Sequence, residues 1–281
     1  MIIISVSSGQ AFRNSIRIWI PDDLNIKENY ERALNILEYG TSIVSTLKNE
    51  IVSAVIEVAS CAFIAYGFAR FKFKGRGFFT ALLLLTILVP DMVVIIPRIV
   101  SYSKLDILGI LGVFEKLTGI DIRPDITNSS FAFWLPSFFG VGLRSGILIF
   151  IYIQFFRGLP HELEEAAWVD GAGPIKTFFS IALPSSGVVI VTVTVFSLIW
   201  HWNDSLLGSM YLNNNFTLSV RLSMFVETMY QKYMLQLHKF TPEGATILMA
   251  GCVLFVVPML IVYMILQKQF IESIDRVGIT G

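Results

Sequence analysis

Five long apolar stretches constrain the fold of this chain more than any other feature of its sequence. A helix rises about 1.5 Å per residue, so about 20 mostly apolar residues cross the hydrocarbon of a bilayer. Lipid offers the backbone no hydrogen bonds, which leaves the helix as the form that such a stretch takes. The sequence therefore predicts an all-α, polytopic transmembrane helix bundle with about five spans, at residues 51–69, 78–97, 135–156, 187–202 and 245–266.

The composition agrees with a membrane protein and excludes several functions. The 281 residues are 54% hydrophobic and 15% charged, with a mean hydropathy of +0.69, too apolar for a soluble domain. The chain has 21 basic and 21 acidic residues, so no net field attracts nucleic acid. The sequence contains no phosphate-binding loop, nucleophile elbow or metal-ligand spacing. We therefore predict no catalytic residue, metal site or cofactor in this chain.

Basic residues in short loops predict the orientation, because positive charge stays on the cytoplasmic side during insertion. The loop between the first two apolar stretches carries the decisive cluster, Arg70, Lys72, Lys74 and Arg76. Alternation then places the loop 158–185 and the tail 267–281 in the cytoplasm, both within a transmembrane domain 51–281. Residues 1–50 become an external N-terminal segment. Because so polar a segment crosses poorly without a preceding helix, we expect a first span to be missing or truncated.

The cytoplasmic loop 158–185, which we call the signature loop, has the sequence of two short helices joined by a tight turn. Glutamates near its start complement the positive end of a helix, and Gly171 can end that helix with a positive φ. Ala166, Ala167 and Gly171 form a stripe without bulk, where another surface can approach the backbone closely. The loop is predicted to be a docking element.

The signature loop strongly resembles that of ATP-binding-cassette importer permeases, written E-A-A, three residues, G, nine residues, I, one residue, L-P. The residues in register are Glu165, Ala166, Ala167, Gly171, Ile181, Leu183 and Pro184. The resemblance implies a type I importer permease whose loop, including Asp170, forms a coupling helix in a cleft of a cytoplasmic ATPase dimer. On that interpretation Glu165 holds the loop by a charge-assisted or capping contact. ATP and Mg would then act on the separate ATPase, and this chain is not an enzyme.

Further segments are similar to the maltose-type carbohydrate permease family over nearly the whole chain. They include residues 65–70 before the basic cluster, the pair Pro90 and Pro97, and the run 202–204. The resemblance implies that this chain forms half of the translocation pathway for a sugar or oligosaccharide. It implies a location in a prokaryotic inner membrane, where lipid surrounds the chain. The expected partners are a second homologous permease subunit, the ATPase dimer and an extracellular or periplasmic solute-binding protein.

Trp202, Asn203 and Asp204 are the candidate substrate-pathway residues. An aromatic face stacks on the apolar side of a pyranose, and an amide pairs with its hydroxyl groups. The alternative places Trp202 in the aromatic belt at the membrane interface. Both interpretations remain open from the sequence.

Four ionisable residues lie in or near the apolar stretches, where such groups are costly and usually face a partner or an aqueous cavity. They are Glu57, Asp91, Arg144 and His201. All four are candidates for the pathway. For Glu57 and Arg144 we favour pairing with the second permease subunit.

Three other functions remain as alternatives. The first keeps the importer and changes the cargo to a polyol, a glycerol phosphate, an amino acid or a phosphonate. The second is an ion-coupled secondary transporter, which would leave the signature loop unexplained and needs inverted repeats that the two halves of the sequence do not show. The third is a non-transporting subunit that anchors or regulates an ATPase complex.

Overall fold

The structure, a computed structural model, describes residues 1–14, 21, 23–106, 109–233 and 241–278. Across these residues the regular structure is helical, and the single isolated β-bridge joins Ser7 to Leu24 without forming a named strand. The predicted all-α fold is therefore confirmed. Gly281, the end of the predicted tail, lies outside the described residues.

The helices follow one another with short connections, and two π-helical turns, Leu47–Ile51 and Phe178–Ala182, interrupt them. The α-helices are α1 (Ile2–Val6), α2 (Gly9–Asn14), α3 (Ile26–Leu37), α4 (Tyr39–Thr46), α5 (Val52–Arg70), α6 (Arg76–Leu88), α7 (Asp91–Ser103), α8 (Ile110–Thr118), α9 (Phe131–Phe138), α10 (Ser145–Gly158), α11 (His161–Val169), α12 (Pro174–Thr177), α13 (Leu183–Ser185), α14 (Gly187–Asn203), α15 (Leu206–Tyr211), α16 (Leu218–Ser223), α17 (Phe225–Tyr233) and α18 (Pro242–Gly278).

Two helical segments in the described part of the chain are each long and apolar enough to cross a membrane. They are Tyr39–Arg70, with 32 residues, and Pro242–Gln267, with 26 residues. Two bent pairs raise the number to four if each pair is one span: α6 with most of α7, bent by 104°, and residues 174–185 with α14, bent by 82°. The first predicted span therefore begins earlier than expected, at Tyr39 instead of residue 51.

The predicted span 135–156 is not one helix. α9 ends at Phe138 and α10 begins at Ser145, and between them Gly140 and Arg144 have φ angles of +67° and +58°. Left-handed residues of this kind end a right-handed helix. Apolar composition could not reveal this break, and α10 by itself is shorter than a membrane span.

The predicted span 78–97 is also interrupted, between α6 and α7. Pro90 causes the break, because proline has no amide hydrogen and disfavours the helical conformation of the residue before it. Val89 accordingly adopts an extended conformation, with a ψ of 121°. Pro97, in contrast, lies inside α7.

The connection between α7 and α9 is held by charged side chains. Lys104 and Arg123 both contact Asp121, at 2.9 Å each. Hydrogen bonds from Arg123 and Lys104 lower the pKa of Asp121 from its ordinary value. Asp106 accepts hydrogen bonds from the amides of Leu111 and Gly112 at the start of α8, at 2.9 and 2.7 Å. These contacts hold the described residues of the connection together.

The chain forms two compact units. The first contains Met1–Lys48 and Trp202–Met264. In it the Asn29 side chain donates to the carbonyls of Ser5 and Ser7 at 3.0 and 2.9 Å, which fixes α1 against α3. Residues 1–48 of the predicted N-terminal segment thus belong to one unit with residues 202–264.

The second unit contains Asn49–His201 and Ile265–Gly281, and its core is the contact of α5 with α10. Small residues recur every fourth position along α5, at Cys61, Ala65 and Ala69, and all three are buried. They allow Tyr152 and Phe156 of α10 to approach closely. Small residues at such contacts are how membrane helices pack without a hydrophobic driving force.

We expect Ala65→Leu to destabilise the second unit, because Ala65 is fully buried between the two helices. Overpacking of this kind costs about 1–3 kcal/mol. Thermal unfolding of the detergent-solubilised chain measures the effect. Val55→Leu is the matched control on the same helix, where Val55 is 61% exposed. Equal melting temperatures for the two variants would show that the close contact is absent.

Candidate functional site

A network of ionisable and hydroxyl side chains is buried between the helices of the second unit. The two ring nitrogens of His201, on α14, lie 3.1 Å from Glu50 and 3.0 Å from Glu57. Ser197, one turn earlier on α14, contacts the same Glu57 oxygen at 3.0 Å, and Ser145 at the start of α10 donates to the other. We call these five residues the buried network.

The geometry of the buried network fixes a minimum number of protons. Each nitrogen–oxygen contact of His201 contains one proton, so the histidine and the two glutamates together hold at least two. The arrangement is either an imidazolium between two carboxylates or a neutral imidazole with one protonated carboxyl group. Both forms carry one net negative charge, which the hydrogen bonds from His201, Ser145 and Ser197 stabilise among apolar helices.

The backbone also makes room for Glu57. A Cβ atom at Gly142 would lie 2.6 Å from a carboxylate oxygen of Glu57, so only glycine fits beside it. Gly142 belongs to the break between α9 and α10. The interruption of the predicted third span thus positions the carboxylate.

The expectation that Glu57 pairs with a second permease subunit is wrong for this structure. Glu57 is fully buried, and its partners belong to the same chain. Periodicity could not reveal this, because the partners lie about 90 and 140 residues away. Arg144 is exposed, and its guanidinium lies 5.1 Å from the ring centre of Trp200, a cation–π contact. The side chain of Asp91 lies outside the described part of the structure.

We expect Glu57→Ala to lower stability strongly, by about 3–5 kcal/mol, because it breaks a buried ionic contact and leaves donors without an acceptor. Glu31→Ala is the control, since Glu31 lies 3.9 Å from Lys27 in an exposed pair of the kind that contributes at most about 1 kcal/mol. Thermal unfolding and the yield of monodisperse protein provide the measurement. Similar losses in both variants would contradict the role of the network.

The signature loop forms two short helices and a tight turn, as predicted. α11 ends in a reversal in which the amides of Gly171 and Ala172 donate to the carbonyls of Trp168 and Ala167, at 3.0 and 2.9 Å. Gly171 has a φ of +77°, the left-handed conformation that glycine adopts most easily. Pro174 then begins α12. The turn itself therefore favours glycine at position 171, in addition to any close approach.

The predicted coupling residues occupy different environments along the loop. Those that are exposed are Glu165, Ala166, Asp170, Gly171 and Pro184. Those that are partly buried are Ala167, Ile181 and Leu183. The structure thus leaves the first part of the motif largely accessible and packs Leu183 against the core.

Large apolar side chains are exposed around the small residues of the loop. Val169 is 87% exposed, the highest value among them. The others are Leu163, Trp168, Ile175 and Phe179. Exposed apolar side chains that flank small residues are typical of a surface that another protein covers.

Sequence reasoning missed Glu164. Among the three glutamates of α11, Glu164 is the buried one, and its carboxylate lies 3.0 Å from the guanidinium of Arg70. From the sequence, Arg70 belongs to the basic cluster that predicts orientation and to the family-like run 65–70, with no predicted partner. The available signal was the spacing of His161 and Glu164, which lie on one face of a helix because they are three residues apart.

Trp202, Asn203 and Asp204 lie together at the end of α14 and just after it. The Trp202 ring is buried, and its N–H donates to the carbonyl of Phe255 at 3.2 Å. Asn203 is exposed, and Asp204 is partly buried and accepts a hydrogen bond from the amide of Leu207 at 3.3 Å. Of the three predicted pathway residues, Trp202 is packed inside the protein, Asp204 is partly buried, and Asn203 presents an exposed amide.

The fold and these sites define a class, a helical membrane protein with polar groups among its spans and an exposed loop of short helices between two of them. The chain belongs to the family of binding-protein-dependent transport system inner membrane components, whose family model matches residues 43–276. The predicted family and the predicted inner-membrane location are thereby confirmed. The chain is a transport component of such a system, as predicted, and not its ATPase.

Known relatives cover most of the chain. It is 27% identical over 247 residues to an arabinooligosaccharides transport system permease protein of Halalkalibacterium halodurans, covering 86% of this chain and 75% of that protein. It is 28% identical over 252 residues to a diacetylchitobiose uptake system permease protein of Streptomyces coelicolor, covering 89% of this chain and 72% of that protein.

A solved structure has the same fold. It is the crystal structure of a bacterial ABC transporter involved in the import of the acidic polysaccharide alginate. The superposition has a TM-score of 0.66 at 17% sequence identity and covers 96% of this chain and 88% of that chain. The predicted importer-permease architecture is therefore confirmed at the level of the fold.

Proposed function

We propose that this chain is the permease subunit of an ATP-driven importer and forms half of the membrane pathway for a sugar or oligosaccharide. The observation that carries the proposal is the signature loop, an exposed docking surface of small and apolar residues in a chain of this family. The names of several relatives favour a carbohydrate cargo, among them a trehalose transport system permease protein of Mycobacterium tuberculosis.

The proposed assembly contains a second homologous permease subunit, a cytoplasmic ATPase dimer and an extracellular or periplasmic solute-binding protein. In this proposal the signature loop and the tail 267–281 face the cytoplasm and residues 1–50 face outside. ATP and Mg bind to the ATPase, whose closure moves the signature loop and changes the side to which the pathway opens. Exposed Glu165, Ala166, Asp170 and Gly171 are the proposed ATPase contacts, while Ile181 and Leu183 hold the loop against the protein.

Co-purification of the tagged chain from its native membrane tests the assembly. We expect an ATPase and a second permease subunit with the intact chain, and neither ATPase nor transport with Glu165→Lys combined with Gly171→Asp. Absence of an ATPase from the intact sample would favour the ion-coupled alternative. An ATPase that co-purifies without any labelled solute entering the cells would favour the non-transporting alternative.

Gly171→Asp is expected to abolish ATPase docking while leaving the folded amount of the chain nearly unchanged. A Cβ at Gly171 meets nothing within 4 Å in this chain, and aspartate tolerates a positive φ better than most residues. Added bulk therefore obstructs chiefly the partner. Gly173→Asp is the matched control, since Gly173 is equally open and has a φ of −75°, which any residue adopts. Equal ATPase recovery with the two variants would contradict docking at Gly171.

We further propose that Trp202, Asn203 and Asp204 line the substrate pathway, with Asn203 contacting cargo and the buried Trp202 ring fixing its position. Trp202→Phe keeps an aromatic ring against Phe255 and loses one hydrogen bond, so we expect folded yield to fall little. Asn203→Ala is expected to raise the KM of uptake several-fold without loss of ATPase binding. Unchanged uptake kinetics for Asn203→Ala would exclude it from the pathway.

The second candidate function is an importer for a non-sugar solute. One relative is an osmoprotective compounds uptake permease protein of Synechocystis, 28% identical over 250 residues and covering 88% of this chain. Competition for labelled oligosaccharide uptake by unlabelled polyols and amino acids distinguishes the two. Competition by other oligosaccharides alone supports the sugar cargo.

A further inference from the structure

Arg70 is the last residue of the span helix α5, and its side chain contacts the signature loop. Its guanidinium lies 3.0 Å from Glu164 and donates to the carbonyl of Leu159 at 2.7 Å. A second terminal nitrogen lies 3.2 Å from a ring nitrogen of His161. One side chain thus contacts Leu159 just after α10, the first residue of α11 and the first turn of that helix.

The contact is buried, although the surrounding loop is exposed. The side chains of Arg70 and Glu164 are 2% and 3% exposed. Glu162 and Glu165, on either side in sequence, are both exposed. The helix therefore has two faces, one closed by Arg70 and one that presents Glu165, Ala166 and Val169 outward.

A contact of this kind is stiff. Arginine presents its donors in a planar fork, so several acceptors fix its orientation at once. Separating a buried pair leaves both charges without partners, which is unfavourable. A movement of α11 that keeps this buried pair intact therefore carries the end of α5 with it.

α5 extends from this contact to the buried network. Glu57 and Arg70 lie on the same helix, about 20 Å apart at a rise of about 1.5 Å per residue. The stripe of Cys61, Ala65 and Ala69 between them packs against α10. One packed helix thus joins Arg70 to Glu57, whose partners are on α10 and α14.

We propose that the Arg70–Glu164 pair is the link that passes movement of α11 to the span helix α5 during transport. Arg70 and Glu164 are positioning residues, distinct from the residues that contact the ATPase. The inference rests on the proposed docking of the signature loop. It assigns a role to a residue pair outside the motif that identifies the loop.

The test uses the full chain co-expressed with its partner subunits in membrane vesicles and compares Arg70→Gln, Glu164→Gln and the double variant. Three quantities are measured: ATPase recovered with the chain, ATP hydrolysis, and labelled cargo taken up per ATP hydrolysed. We expect the first two to be retained. Uptake per ATP should fall roughly three- to thirty-fold, as for residues that carry coupling between sites.

The double variant and a surface control separate transmission from other roles. Because the two residues act as one unit, the double variant should lose no more uptake per ATP than either single variant. Glu162→Gln, an exposed carboxylate on the same helix, should match the unmodified chain. An intact chain that recovers no ATPase would overturn the proposed function itself, independently of the pair.

Three results would overturn the proposed link. The first is unchanged uptake per ATP hydrolysed in Glu164→Gln. The second is a loss of ATPase recovery that is proportional to the loss of uptake, because the pair would then be part of the docking surface. The third is loss of folded protein in all three variants, which would make the pair a requirement for stability rather than for transmission.

Discussion

The burial of the Glu57 carboxylate among apolar helices is the constraint on which the second unit of this protein depends. An ionisable group in such surroundings is tolerated only where donors surround it. Ser145, Ser197 and His201 supply those donors from α10 and α14, and Gly142 leaves the space for the carboxylate. Three segments far apart in sequence are thus held in one relative arrangement by a single side chain. The two protons that the contacts of His201 require reduce the net charge of the network to one negative charge.

α5 connects this network to the signature loop. Its small residues permit a close contact with α10, while Glu57 and Arg70 form polar contacts near its two ends. Close packing makes the helix resist bending, and the terminal contacts tie it to other elements. The combination suits a helix that moves as a body in a transporter with alternating access. It also explains why two charged residues persist in a helix whose remaining surface is mostly apolar.

In the signature loop, contact with a partner and attachment of α11 to the rest of the protein are provided by different residues. The exposed face carries Glu165 and Ala166, which suits contact with a partner, whereas Glu164 faces inward and holds α11 against the protein. Adjacent residues on a helix point about 100° apart, so one position decides between the two roles. The resemblance of the motif implies an anchoring contact for Glu165. In the structure the buried ion pair is formed by Glu164. The turn at Gly171 follows the sequence prediction because its left-handed φ is a local property of glycine.

The sequence by itself determined the membrane class, the helical fold, the location of the apolar stretches and the family-defining loop. These depend on local composition and spacing, since a bilayer imposes length and apolarity on each span separately. Only the tertiary structure decided which charges meet. Glu57 with His201 and Arg70 with Glu164 are pairs formed by residues 144 and 94 positions apart, respectively. It also decided that the third apolar stretch breaks beside Glu57. Such pairings follow from how helices pack in three dimensions, for which the period of a single helix contains no information.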